Sequence, residues 1–381
     1  MTVRRAGPLE SALLIVALVA PVLLGFAVLA PNRIVPPRAI AIGDVPAWGM
    51  LGPAAVAALA AMLLPGRAAA IACGVALCGL LAGMGDVAGR LTGSTPAARL
   101  GPAAGSWVAI AALLVAARLA LGRAQSGPLG RAMAACGLLA ALAMLLALGL
   151  VDDIGLVREA RARASELGVA LGAHVTLVAA ALLPALALGA ALGALAFVAP
   201  RWAPPVMGAL AALQVIPAIA LFALLIEPLA ALGRALPLLR DVGLRGIGAA
   251  PAVLGVFLYL LLPVAAATRA ALGAAPAAAV DAARGLGFAP RQVLLRVRLP
   301  LGAPVVLGGL RTAAVQAVGL ITLGALVGAG GFGVLMFQGL GQFAPDLILL
   351  GALPVAALAL LLDATLGAVE EGLAGGPGRS A

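Results

Sequence analysis

Apolar segments of about twenty residues recur along the whole chain, near 10–30, 48–65, 67–85, 106–121, 131–151, 172–198, 204–226, 249–268, 304–327 and 345–363. A helix of ~20 residues crosses the ~30 Å hydrocarbon core of a bilayer, so each of these is long enough, or nearly so, to span one. The residue-by-residue alternation that barrel strands need is absent, and the spans therefore read as helices. Composition agrees. With 64% hydrophobic and 10% charged residues and a mean hydropathy of +1.19, a 381-residue chain has too little polar surface to wrap a water-soluble body. The expected fold class is all-α, a polytopic helical membrane protein of about ten transmembrane helices.

Orientation follows from arginine placement, because positive loops are retained in the cytoplasm. With the N-terminus inside, Arg4, Arg5, Arg67, Arg118, Arg123, Arg131, Arg201, Arg269, Arg284, Arg291, Arg296, Arg298, Arg311 and Arg379 fall on or near the cytoplasmic side, with five acids. The other ten arginines share the outside with nine acids, among them Asp152, Asp153, Glu159, Glu166, Glu227 and Asp241. This asymmetry, and an even number of spans, places both termini in the cytoplasm of a multi-pass protein of the inner membrane. Arg4 and Arg5 before an apolar run also fit a secretory signal, but the run is long for one.

All 24 basic residues are Arg, and the abundance of Ala, Gly and Arg reflects a GC-rich genome more than physical necessity. Small-residue pairs such as Gly189 with Gly193 or Gly324 with Gly328 are therefore discounted as chance spacings. Cys73, Cys78 and Cys136 lack metal-ligand spacing and read as small apolar helix residues.

Texture divides the chain. Residues 1–168 form an N-terminal membrane extension of about five helices with hardly any polar group inside the spans, and 152–168 reads as a solvated external connector. Residues 169–373 carry His174, Gln214, Gln316, Thr322 and an arginine-rich loop, and 374–381 form a flexible C-terminal tail. Gln214, Gln316 and Thr322 are assigned to a translocation path, since an amide facing lipid is costly. Interhelical hydrogen bonding is the competing role for the two glutamines. His174 opens the sixth span in a hydrogen-bonding or topological role, and Glu227 lies at the outer end of its span.

The loop at 277–300 is the most informative stretch. Ala277–Leu286 forms a short helix closed by Gly287, and Pro290 opens a second one. On the second, Val293, Leu294 and Val297 share a side, Arg291, Arg296 and Arg298 stay available to solvent or acidic partners, and Pro300 stops the helix. Physics alone leaves two readings open: a docking surface, or a basic loop that merely sets topology.

Asp281, Ala282 and Ala283, then Gly287 after three residues, then Val297, Leu299 and Pro300 after nine more, match the spacing Glu-Ala-Ala-x3-Gly-x9-Ile-x-Leu-Pro. This stretch resembles the cytoplasmic coupling loop of ATP-binding-cassette importer permeases, with Asp for Glu and Val for Ile. The segments LQVIPAIALFALLI, FLYLLLPVAAATRAAL, LRTAAVQAVGLITLGALVGAGGFG and PDLILLGALPVAALALLLD further resemble the osmoprotectant branch, whose members import glycine betaine, choline or carnitine. The resemblance implies a type I importer permease core with ATPase-coupling residues Asp281, Ala282, Ala283, Gly287, Val297, Leu299 and Pro300. It also implies partners: ATPase subunits that bind ATP and Mg, a second permease copy or paralogue, a substrate-binding protein, and membrane lipid, with no nucleic acid. With one Tyr and three Trp, recognition of a substrate cation by an aromatic cage falls to the separate binding protein.

Gly328 to Gly333 satisfies G-x-G-x-x-G literally, but a membrane span precedes it where a dinucleotide site needs a strand, so it reads as an external turn. No phosphate-loop motif occurs, no enzymatic constellation is present, and the chain carries no cofactor of its own in this reading. The alternative function, a secondary transporter driven by an ion gradient, would call for paired carboxylates within the membrane, whereas the acids here lie almost wholly at span ends.

Overall fold

The computed structural model describes residues 6–374 apart from 33–34, 46–47, 94, 96, 127, 239–242 and 244. Arg4, Arg5, Asp241, Arg379 and the tail from 375 lie outside the described residues. The chain forms two compact units, one of residues 1–162 with 342–346 and the other of 163–341 with 347–381.

The first unit contains α1 (Pro8–Leu23), α2 (Trp48–Leu63), α3 (Gly66–Thr92), α4 (Ala104–Arg123), α5 (Pro128–Ala147) and α6 (Gly155–Ala162). Leu14, Phe26, Met84, Val87 and Leu100 are fully buried at its centre. α1 meets α4 closely, since a Cβ on Gly105 would overlap the Ala20 carbonyl. Glu10 and Arg123 tie the same two helices with bonds of 2.5 and 2.9 Å. The expected first span instead leaves the helix at Leu24 and enters an antiparallel sheet. There β1 (Ala27–Ala30) lies between β2 (Arg38–Ile40) and β3 (Arg99–Pro102), with Val28 opposite both Ala39 and Gly101. The 152–168 connector is also less solvated than expected. Glu159 is buried against Arg99, which bonds Asp346 of the 342–346 segment at 2.7 Å. A buried carboxylate needs such a partner, and the flanking charges of the connector hide this from the sequence.

The second unit contains α7 (Ala164–Val198), α8 (Ala203–Val215), α9 (Ala218–Ala235), α10 (Ala249–Gly273), α11 (Ala277–Gly285), α12 (Pro290–Val293), α13 (Leu299–Leu323), α14 (Phe332–Gly341) and α15 (Pro345–Ala374). α10 is its axle, buried at Val256, Leu260 and Ala265. Glycines let neighbours approach it. A Cβ on Gly193 of α7 would overlap the Ala265 carbonyl, one on Gly302 of α13 the Ala271 carbonyl, and one on Gly189 would lie 2.8 Å from Val264. The discounted Gly189/Gly193 pair is thus a packing seam.

Among the described residues, seven helices are long and apolar enough to cross a membrane, while Pro8–Leu23, Leu51–Leu63, Met133–Ala147 and Phe332–Gly341 are shorter apolar helices. The expected 204–226 span breaks into α8 and α9 at Ile216–Pro217, because a residue before proline is pushed out of helical geometry and Ile216 adopts ψ 125°. The expected 172–198 span begins earlier, at Ala164.

Candidate functional site

Gly287 is the corner of the 277–300 loop. Its φ of +80° is left-handed, a conformation glycine adopts at no steric cost, and the chain reverses there as Gly287 and Phe288 donate to the Arg284 and Ala283 carbonyls at 2.9 and 3.1 Å. Val280 and Ala283 of α11 and Val293 of α12 are buried together with Ala275, and Phe288, Val297 and Leu301 pack on them. The two short helices therefore share a small apolar core of their own. The Ala289 N–H bonds the Gln292 side chain at 2.8 Å, which fixes the entry to α12.

Pro300 does not stop the second helix. From Pro290 to Val327 the chain is continuously helical, passing through a π-helical turn at Leu294–Arg298 into α13. There Leu299 donates to the Leu294 carbonyl, five residues back, and a wide turn of that kind accommodates a proline ring that would otherwise collide with the preceding turn.

The seven motif residues divide by exposure. Ala283 is buried and Val297 half-buried, so these hold the corner together. Asp281, Ala282, Gly287, Leu299 and Pro300 are exposed, and beside them Leu286 is 78% exposed, a large apolar side chain presented outward from a polar loop. Asp281 makes only a loose 3.6 Å pair with Arg284. Arg291 and Arg296 are exposed, as expected. Arg298 is not available to partners. It donates to the Leu272 carbonyl at the end of α10 at 2.8 Å and sits 5.0 Å from the Phe197 ring of α7, a position that also suits the negative end of the α10 dipole. The loop is thereby bolted to two spans.

The three residues assigned to a path are not brought together. Gln214 donates to the Tyr259 carbonyl at 2.8 Å, in the interhelical role named above. Thr322 turns inward and donates to the Gly319 carbonyl of its own helix at 2.6 Å. Gln316 lines a cleft of about 610 Å³ together with Gly308, Arg311, Thr312, Asp363 and Glu370. Arg311 grips Asp363 through two nitrogens, with Nη2–Oδ2 at 2.6 Å, and Glu370 lies 3.9 Å away. Sequence reasoning passed over this cluster, although the i, i+4, i+8 spacing of Gly308, Thr312 and Gln316 marks one helix face.

His174 is fully buried, with Nε2 3.2 Å from the Val318 carbonyl and its ring 5.5 Å from that of Phe332. The glycine turn at 328–333 packs on it rather than swinging free, since a Cβ on Gly331 would lie 3.1 Å from His174 Nδ1.

Residues 185–374 match the family model described as the binding-protein-dependent transport system inner membrane component, and residues 5–157 match the N-terminal domain of the ABC transporter permease YehY. The osmoprotectant import permease protein OsmW of Salmonella typhimurium is 40% identical over 191 residues, covering 50% of this chain and 83% of that protein. The carnitine transport permease protein OpuCB of Listeria monocytogenes is 33% identical over 178 residues, covering 47% and 74%. The chain belongs to the binding-protein-dependent inner-membrane permeases of ATP-binding-cassette importers, transport subunits that leave ATP hydrolysis to separate subunits.

Proposed function

We propose that this permease imports an osmoprotectant, a small quaternary ammonium compound such as glycine betaine, carnitine or choline, and that its 277–300 loop docks the ATPase. The similarity to permeases named for osmoprotectant and carnitine transport supports the substrate class. The single observation that carries the docking assignment is the loop itself. Asp281, Ala282 and Leu286 stand outward from a corner whose inner face is packed and whose far end, through Arg298, is tied to α10 and α7. ATP-driven approach of two ATPases would then move the loop as one piece, and the attached spans would exchange outward for inward access.

In this reading the working assembly holds two ATPases, two permeases of the same or paralogous kind and a substrate-binding protein. The protein lies in the cytoplasmic membrane with both termini inside. Residues 169–373 are the transport core and 1–168 a modulatory extension.

Co-purification with its ATPase, followed by reconstitution in liposomes with the binding protein, tests the proposal. ATP-dependent uptake of labelled glycine betaine, carnitine or choline is expected. Uptake driven by an ion gradient without ATP, or transport of none of the three, would overturn it.

A further inference from the structure

Arg311, Asp363 and Glu370 are three ionisable side chains near the ends of two helices long and apolar enough to cross a membrane, and they gather on one another. Here they face the 610 Å³ cleft, and Gln316 and Thr312 extend its polar wall along α13. The wall is built around the charges by glycines. A Cβ on Gly367 would lie 3.2 Å from Arg311 Nη1, and one on Gly308 would lie 3.5 Å from Glu370 Oε1. Arg311 and Asp363 each keep 39% of their side-chain surface exposed, so the pair is reachable from the cleft. Among the described side chains lining the cleft, one guanidinium stands against two carboxylates, with positive and negative groups side by side.

We propose that this cleft is a substrate subsite for a zwitterion, in which Arg311 exchanges Asp363 for the carboxylate of the substrate while the released Asp363 and Glu370 hold its quaternary ammonium group. The assignment rests on the osmoprotectant reading above. Ion-pair exchange keeps the count of charged contacts constant, which avoids leaving an unpaired charge in a partly desolvated site. A planar guanidinium fits a carboxylate with two parallel bonds, so Asp363 and a substrate carboxylate are interchangeable ligands for it. A cation without a carboxylate needs only the acids. Arg311 is thus a specificity residue that distinguishes betaines from choline.

The test uses the complete reconstituted importer and compares KM for glycine betaine and choline, with choline also scored as a competitor. Arg311→Gln should raise the KM for glycine betaine about tenfold or more, the scale of a lost bond to a charged group, and leave that for choline unchanged or lower. Glu370→Gln removes a contact to the ammonium group that both substrates carry and should raise the KM for both. The double variant Arg311→Gln/Asp363→Asn removes the pair but keeps the net charge, and should lose glycine betaine selectively as well. Equal effects of Arg311→Gln on both substrates, no effect of it, or failure of both Arg311 variants to assemble would identify a helix latch or a contact with the second permease, and overturn the subsite. A wild-type importer that carries choline but not glycine betaine would overturn it while leaving the proposed function intact. Transport of neither would remove both.

Discussion

Gln214 donates its side-chain amide to the main-chain carbonyl of Tyr259, and Tyr259 returns its hydroxyl to the carbonyl of Ile216. Both acceptors are carbonyls that proline chemistry has orphaned. Pro263, four residues beyond Tyr259 in α10, has no N–H to offer it, and Ile216 stands at the break that Pro217 imposes between α8 and α9. With no water inside a bilayer, side chains must satisfy such groups.

Tyr259→Phe and Gln214→Leu should therefore each destabilise the folded protein by about 1–3 kcal/mol, the cost of a buried polar group left unpaired. Thermal unfolding in detergent, followed by loss of monodisperse protein, measures this. Unchanged stability together with impaired uptake in Gln214→Leu would assign that amide to the substrate path instead.

Gly287→Val should cost about 1–2 kcal/mol of local strain, because a β-branched residue is forced into left-handed geometry. Asp281→Lys should cost almost nothing, since Asp281 is exposed. Both should insert normally and lose substrate-stimulated ATP hydrolysis. Wild-type stimulation in the Asp281→Lys importer would sink the docking assignment.

Reporters fused after Arg201 or between Arg291 and Arg298 should register cytoplasm, and one fused between Asp152 and Glu166 the outside. Opposite labelling at any of these points would put the loop in the wrong compartment for ATP.

Residues 163–381, which begin at the boundary of the second compact unit, should insert and bind the ATPase when expressed with the partner subunits. Pull-down and uptake measure this. Failure to assemble beside an intact full-length control would make the first 162 residues part of the structural core.

The loop was legible because its information is local: a left-handed corner needs glycine at 287, and the apolar side at Val293 and Val297 follows helical spacing. The sheet was not, since β1 pairs with β3 some seventy residues later and each strand is four residues or fewer, too short for alternation to register. The Arg311–Asp363 pair was equally hidden. Each residue reads alone as a charge near a span end, and only the packing of α13 and α15 brings them to 2.6 Å. Composition misled once, where a glycine-rich background made Gly189 and Gly193 look like noise although the α10 backbone needs both.

The π-helical turn at Leu294–Arg298 absorbs a residue while leaving the rotational phase of the helix nearly unchanged. It adds one residue to what would otherwise be a regular helix from the docking corner into the span, so deleting any one residue of that turn could leave both ends helical and properly inserted. Because the wide turn takes up its extra residue within itself, the corner would keep its facing toward the cleft-lining side of α13, whereas the same deletion in the α-helical stretch after Leu299 would swivel it by about 100° about the helix axis, as a crank is mis-set on its shaft. Force delivered at the loop would then reach the membrane in the wrong direction.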